Sequence, residues 1–499
     1  MSTETLHPRT SVGTQIDVSP ALSLGANGSR ANDVHPRTSV DAQSGFLPRL
    51  DPVPPRTSVI HFGCRLNQFE SDGIKANLSD NSHALTDNLR EADFVVINTC
   101  TVTNKADYKN RAAIRRAHRL NPSAKIVVTG CYATTDAEEL RSLPGVYRVV
   151  SNDKKHQIAS VLNGNDTEEK NDRFFFSSNH NFKSRATLKI QDGCNKSCSY
   201  CKIPQARGRG VSRGSEDTLA SARELIASGF GELVLTGVNI GWYNDNGKTF
   251  HNLVESLLAL DGDFRLRVSS IEPGDVNERF AEFYQHPKMA RFLHIPLQSG
   301  SKFVLRTMRR GYTPQNFMHR IEHVRTICPE VHIGTDVIVG FPSEGEAEFT
   351  ETLDFCRAAD FANIHIFPFS KRRNTAIVDW LEARPRRQAA STPDLTAAAD
   401  GATTKRVYHE INGDIIRRRA AELDAVKREM ADQYSHRVEG MKFSAVAERI
   451  EDGQVAFLTE NYLRGKIPLS QLAKEPRRGE LFDLVWSHNL QDSSRKITV

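Results

Sequence analysis

Between residues 57 and 150, short β-branched runs alternate with stretches of helical periodicity. Residues 57–62, 93–98, 124–129 and 147–150 read as strands, with helices predicted over 67–79 and 104–120 and a shorter one before the last strand. Nearly unbroken apolar strands separated by helices predict a parallel sheet covered on both faces and wound by right-handed crossovers. The expected fold of this part is Rossmann-like α/β. Past a polar stretch at 163–172, six further apolar runs occur at 187–190, 232–236, 265–268, 292–295, 335–339 and 363–367, with helical sequence between most of them. Repeated βα units of this number predict a partial β/α barrel whose working face lies at the carboxyl ends of its strands.

A charged helix is predicted over 414–435, then short strands at 442–447, 454–458 and 480–486. Closely spaced short strands predict a small β-barrel, an architecture often used to hold oligonucleotides. The first 54 residues instead carry HPRTSV twice, at His7–Val12 and His35–Val40, among Ser, Thr, Asn, Pro and Asp. So few apolar groups do not offset the entropy of ordering, and this extension is expected to be disordered. The expected organisation is an extension over 1–54, a sheet domain over 55–160, a barrel over 180–371, an insertion and linking helix over 372–435 and the small barrel over 436–490.

The 499 residues are 38% hydrophobic, enough for several cores, so the chain as a whole is not a disordered one. A formal charge of +5 permits nucleic acid as a partner without requiring it. No apolar run is long enough to span a bilayer, and the first residues lack the apolar core of a secretory signal. The expectation is a soluble cytoplasmic enzyme with no membrane partner. Eight cysteines are too few for a disulfide scaffold, so their positions carry the information.

Three of them stand in Cys194-Asn-Lys-Ser-Cys198-Ser-Tyr-Cys201, just past the first barrel strand. Three thiolates on one loop leave a metal centre one ligand short. Structural zinc wants four closed ligands, and neither flank supplies a nearby Cys or His, which makes zinc the lesser reading. A four-iron cluster with one open iron fits better, and that iron can chelate the amine and carboxylate of S-adenosylmethionine. Cys64, Cys100 and Cys131 each fall just past one of the first three strands, where open α/β sheets bind ligands, so they are expected to converge. Three unrelated buried cysteines are the alternative. Cys328 and Cys356 lack a ligand pattern and read as core residues, as do the alternating Phe367 and Phe369.

The segments FGCRLNQFES, INTCTVTNKAD, VTGCYA, LKIQDGCNKSCSYCKIPQARGRGVSR, LTGVNIG, RVSSIEP, IPLQSGS, TDVIVGFPSE and FPFSKR follow in order over about residues 57–371. In them the chain resembles a radical S-adenosylmethionine methylthiotransferase, in wording closest to the enzymes that methylthiolate threonylcarbamoyladenosine in tRNA. The terminal barrel resembles the family's TRAM domain. The resemblance implies two [4Fe–4S] clusters. Cys194, Cys198 and Cys201 would hold the one that cleaves S-adenosylmethionine to a deoxyadenosyl radical, and Cys64, Cys100 and Cys131 the one that activates or carries sulfur. A tRNA adenine would exchange the hydrogen on C2 for sulfur, with a second S-adenosylmethionine giving the methyl group. Thr236 and Gly237 would meet the cofactor's methionine amine, and Ser269, Ser270, Glu272 and Gln298 its ribose or carboxylate.

Asp336 reads as structural and Gly340-Phe-Pro342 as a turn. The basic groups Arg207–Arg213, Arg372-Arg373, Arg417–Arg419 and Arg477-Arg478 are candidates for the tRNA backbone or plain solvated surface. FPFSKRRNTAIVDW lacks the glycine usual in the family after the arginine, and the segment 372–405 is longer than the family pattern. Competing readings are methylthiolation of isopentenyladenosine in tRNA or of a ribosomal-protein aspartate, and, in another class, a non-catalytic metal-containing RNA-binding protein. The sulfur donor and the electron donor are not legible in the chain.

Overall fold

The computed structural model describes residues 53–165, 172–175, 184–383 and 408–491. The HPRTSV repeats and most of the 372–405 segment lie outside them. A five-stranded parallel sheet runs in the order Ala84–Leu85, Arg56–His61, Phe94–Thr99, Lys125–Gly130, Val146–Val149. Val95, Val96, Ile97, Ile126, Val127 and Val128 are fully buried, as central strands covered on both faces require. The helices Arg65–Asp80 and Asn104–Leu120 cross between strands. The second is set by its ends: Thr103 accepts the Ala106 amide as N-cap, Asp107 lies in the first turn and His118 and Arg119 in the last. The two-residue edge strand Ala84–Leu85 was beyond sequence reading because it is too short to show a period.

The six barrel strands follow one another in two parallel ribbons, Ala186–Lys189, Glu232–Thr236, Arg265–Val268 and then Phe292–His294, His332–Val339, Asn363–Pro368. A parallel bridge between Leu266 and Met289 brings the ribbons together. Their core joins Leu188, Leu235, Leu266, Leu293, Ile333 and Ile364, with Cys328 and Cys356 buried in it as expected. Beyond the last strand, the expected insertion opens with a helix, Ala376–Glu382. Ile377, Val378 and Leu381 form its buried face, a stripe too short to stand out in an Arg- and Pro-rich setting.

The long helix Gly413–Arg437 packs along the strand Asn363–Pro368 and leads to a four-stranded antiparallel sheet. Its order is Arg464–Pro468, Gln454–Thr459, Lys442–Glu451, Leu481–Val485. Arg464–Pro468 carries no strand signal in the sequence, because its RGKIP holds a glycine and a proline and little apolar alternation. The sheet is bolted to the barrel by charge. Glu232 is fully buried between Arg265 Nε at 2.5 Å and Arg267 Nε at 2.8 Å. The remaining guanidinium donors reach the carbonyls of Ser444, Leu458, Thr459 and Glu460 at 2.8–3.1 Å. Burial works against the charge on Glu232, but the two arginines hold its carboxyl well below the usual range. Arg65 donates to the Tyr462 hydroxyl at 2.5 Å, tying the first sheet to the last.

Candidate functional site

The first sheet delivers Cys64, Cys100 and Cys131 to one spot. Cys64 precedes the helix Arg65–Asp80, Cys100 follows the strand Phe94–Thr99, and Cys131 opens the short helix Cys131–Thr135 after Lys125–Gly130. Gly63 makes the approach possible. It has φ +94°, and a Cβ there would lie 2.5 Å from Cys100 Cβ and 2.7 Å from Cys100 Sγ. Cys64 is exposed, Cys100 and Cys131 are buried, and all three are free thiols. Burial, and then the neighbouring Cys64 and Cys131, pushes the Cys100 thiol up to about 12. Burial likewise raises Cys131, against the pull of Arg207 and Lys155. Two buried thiols, Cys100 and Cys131, both raised and with the Cys64 sulfur beside them, are a donor set short of a cation, and a thiolate-bound metal cluster fits it.

In the loop after Ala186–Lys189, each of the three sulfurs accepts an N–H. Cys194 Sγ takes the Lys196 amide at 3.4 Å, Cys201 Sγ the Ile203 amide at 3.5 Å, and Cys198 Sγ the Arg310 guanidinium at 3.5 Å. Such donors favour metal-bound thiolates, so this set too fits a cluster. Burial raises Cys194 and pushes Cys201 up to about 12, which keeps both protonated near neutral pH until a metal displaces the proton. Arg310 also pairs with Glu272 at 2.5 Å, and Lys196 meets the same carboxylate oxygen at 2.8 Å. Glu272 is therefore clamped between two cations beside the cysteine loop.

The other predicted positions lie at the carboxyl ends of the barrel strands. Thr236 is buried, and Gly237 packs so closely on Ile240 and Gln191 that a Cβ would meet them at 2.6 and 2.9 Å. The Ser269 amide bonds to the Leu235 carbonyl at 3.1 Å. Ser270 Oγ meets His294 Nδ1 at 3.0 Å, and His294 Nε2 meets Asp336 Oδ1 at 3.1 Å. Gln298 takes the left-handed φ of +67°, with its amide on the Asp336 carbonyl at 2.7 Å.

Two cavities lie where the first sheet meets the barrel. One, of about 210 Å³, is mostly apolar and lined by Val102, Tyr200, Ile338, Phe367 and Phe369, with Gln298 and Asp336 on its wall. The other, of about 430 Å³, is polar and includes Lys202, Lys371, Arg372 and Arg373. Arg372 lines both. Pairs neutralise much of the polar cavity: Lys202 with Asp136 at 2.7 Å, Arg111 with Glu139 at 3.1 Å, Arg372 with Asp107 at 2.6 Å. Two donors are left over. The buried Arg372 Nε has no hydrogen-bond partner, and exposed Arg373 has no ion pair with another described residue.

Comparison with known proteins gives the family. Residues 56–151 match the family described as uncharacterized protein family UPF0004, and residues 188–356 the radical SAM superfamily. The chain is 34% identical over 425 residues to a threonylcarbamoyladenosine tRNA methylthiotransferase of Bacillus subtilis, covering 81% of this chain and 88% of that protein. The chain belongs to the radical S-adenosylmethionine tRNA methylthiotransferases. A relative of the same description from Chlamydia pneumoniae is 38% identical, over 64% of this chain and 75% of that one. A tRNA-2-methylthio-N(6)-dimethylallyladenosine synthase of Cereibacter sphaeroides is 32% identical, over 75% and 86%. Among solved structures, the radical S-adenosylmethionine methyltransferase TsrM of Kitasatospora setae shares the fold at a TM-score of 0.53 and 14% identity, over 76% of this chain and 90% of that one. Membership makes the protein an enzyme, sets aside the non-catalytic reading, and implies a [4Fe–4S] cluster, S-adenosylmethionine and a tRNA substrate. No described helix is long and apolar enough to cross a membrane.

In this methylthiotransferase several basic residues are not where sequence reading put them. Arg207 and Arg213 are buried rather than presented to RNA or solvent: Arg207 pairs with Glu70 and Asp192, and Arg213 with Asp217. Arg372 is likewise buried on Asp107, and Arg419 on Glu344. Phe367 is not a core residue; it is 42% exposed at the end of its strand, on the wall of the apolar cavity. Arg310, Lys196 and His294 also stand in the site, although no motif marks them. Their only signal is a partner far away in the chain.

Proposed function

We propose that this methylthiotransferase modifies C2 of N6-threonylcarbamoyladenosine beside the anticodon of tRNA, giving 2-methylthio-N6-threonylcarbamoyladenosine. The observation that carries the reading is the pair of neighbouring cavities that share Arg372 in their walls. The apolar one suits the faces of an adenine, and the polar one offers the exposed guanidinium of Arg373, beside the buried Arg372, to an anion. A threonylcarbamoyl group carries a carboxylate for those donors; a dimethylallyl group carries nothing for them. The identities of 34% and 38% to relatives named for threonylcarbamoyladenosine support the same choice.

Cys194, Cys198 and Cys201 would hold one [4Fe–4S] cluster, and Cys64, Cys100 and Cys131 a second. When bound, the two clusters with S-adenosylmethionine supply the one-electron chemistry that removes hydrogen from a substrate carbon and the sulfur that replaces it. Glu272, fixed by Lys196 and Arg310, offers a carboxylate to the hydroxyls or ammonium of S-adenosylmethionine, and Thr236, Gly237, Ser269, Ser270 and Gln298 frame the same strand ends. Tyr200, Phe367 and Phe369 would exclude water from the face of the base.

Nucleoside mass spectrometry of tRNA from a strain lacking this chain tests the substrate. The expected result is threonylcarbamoyladenosine without its methylthio group. Loss of the methylthio group from dimethylallyladenosine instead would transfer the reading to that base. Anaerobically reconstituted protein is expected to hold about eight irons, falling to about four in Cys64→Ala and in Cys194→Ala, with S-adenosylmethionine cleavage kept only in the first.

A further inference from the structure

Behind the first cysteine set lies a knot of five buried charges that no substrate reaches. Glu70 comes from the first sheet's helix Arg65–Asp80 and Lys155 from the turn Asn152–Gln157; Lys189 and Asp192 come from the first barrel strand and its extension, and Arg207 from the helix Ile203–Arg207. Their side chains are 1–3% exposed. Arg207 reaches Glu70 and Asp192 at 2.9 Å each, Lys189 reaches the same two carboxylates at 2.8 Å each, and Lys155 pairs with Glu70. Three cations face two carboxylates. One positive charge is left without a buried counterion, an arrangement that burial strongly disfavours unless something nearby is negative.

The knot leads to the cysteines by direct contacts. Arg207 Nη2 donates to Asn67 Oδ1 at 2.7 Å, and Asn67 Nδ2 donates to the carbonyls of Phe62 at 2.8 Å and Thr99 at 2.9 Å, the first lying two residues before Cys64 and the second adjoining Cys100. The helix Cys131–Thr135, which begins with the third cysteine, packs against the helix Ile203–Arg207. An oxidised four-iron core carries two positive charges, so with three thiolates the assembly carries one negative charge and, once reduced, two.

We propose that the surplus charge of this knot is the counterion of the cluster held by Cys64, Cys100 and Cys131, and that it raises that cluster's reduction potential. The inference rests on the two-cluster reading above. A cation in a medium of low dielectric favours the more negative, reduced state. Because Lys189, Asp192 and Arg207 belong to the barrel side, the barrel sets the potential of a centre whose ligands all lie on the first sheet.

The test is a redox titration followed by electron paramagnetic resonance, in a background with Cys194, Cys198 and Cys201 all changed to alanine so that one cluster is read. Arg207→Gln should move the midpoint to a more negative value, Arg207→Lys should restore it towards that of the background, and Glu70→Gln, which leaves the surplus larger, should move it to a more positive one. Exposed Arg209→Gln should leave it unchanged. Opposite shifts are the signature of charge, since damage to the fold has no reason to reverse sign, and either variant alone still tests the sign if the other does not fold. Equal midpoints, or shifts in one direction, in variants that retain about four irons would overturn the counterion while leaving the second cluster standing. A background protein that binds no iron would overturn the two-cluster reading and the counterion with it.

Discussion

Replacing Gly63 with alanine perturbs the cysteine site without touching a ligand. At φ +94° an alanine is held in a backbone region it avoids, which costs about 1–3 kcal/mol. Its Cβ would also lie 2.5 Å from Cys100 Cβ and 2.7 Å from Cys100 Sγ, far inside carbon contact, and overpacking of this kind costs about a further 1–3 kcal/mol. Gly247 separates the two contributions. Its φ is +90°, and nothing lies within 4 Å of the Cβ that an alanine would add. Urea unfolding of iron-free Gly63→Ala is therefore expected to show the larger loss, by about 1–3 kcal/mol over Gly247→Ala. Relief of the clash must displace Cys100, so reconstituted Gly63→Ala should hold about four irons where Gly247→Ala holds about eight. Equal unfolding midpoints and equal iron in the two variants would refute the close approach of Gly63 to Cys100.

Glu232→Gln leaves Arg265 and Arg267 buried without their anion, and thermal melting should show a loss of about 3–5 kcal/mol, beginning with detachment of the terminal sheet. Tyr462 should titrate apart from the other tyrosines: burial opposes its ionisation, but Arg65, Arg185, Arg464 and Arg267 together bring its phenol down to about 8. A phenol depressed from 10 to about 8 adds stability that is complete above the unfolded value near 10 and is lost as pH falls through about 8. Wild type should gain about 3 kcal/mol on Tyr462→Phe between those limits, with ultraviolet absorbance reporting the phenolate; identical pH–stability curves would refute it.

The parallel strands were legible because central strands write themselves as unbroken β-branched runs, and the two cysteine sets because each sits where a strand ends. The charges were not. Arg207 reads as one more basic residue of RGRG, and only the fold reveals that Glu70 and Asp192 wait for it. Phe367 was misjudged because alternation along a strand identifies a face and not where the covering layer stops; the last residues of Asn363–Pro368 run past the core to the cavity wall. Lys196 and Arg310 were invisible as site residues since their shared partner Glu272 belongs to a different βα unit.

The knot around Glu70 also bears on how the chain is made. Lys189 and Arg207 stand 119 and 137 residues after Glu70, so both emerge from the ribosome well after the helix that carries it. At ordinary synthesis rates the wait is on the order of ten seconds, during which Lys155 is the one cation of the knot already made for that carboxylate. The knot is thus completed only when the opening of the barrel meets the first sheet. The interval between them is when a chaperone would have the most to hold.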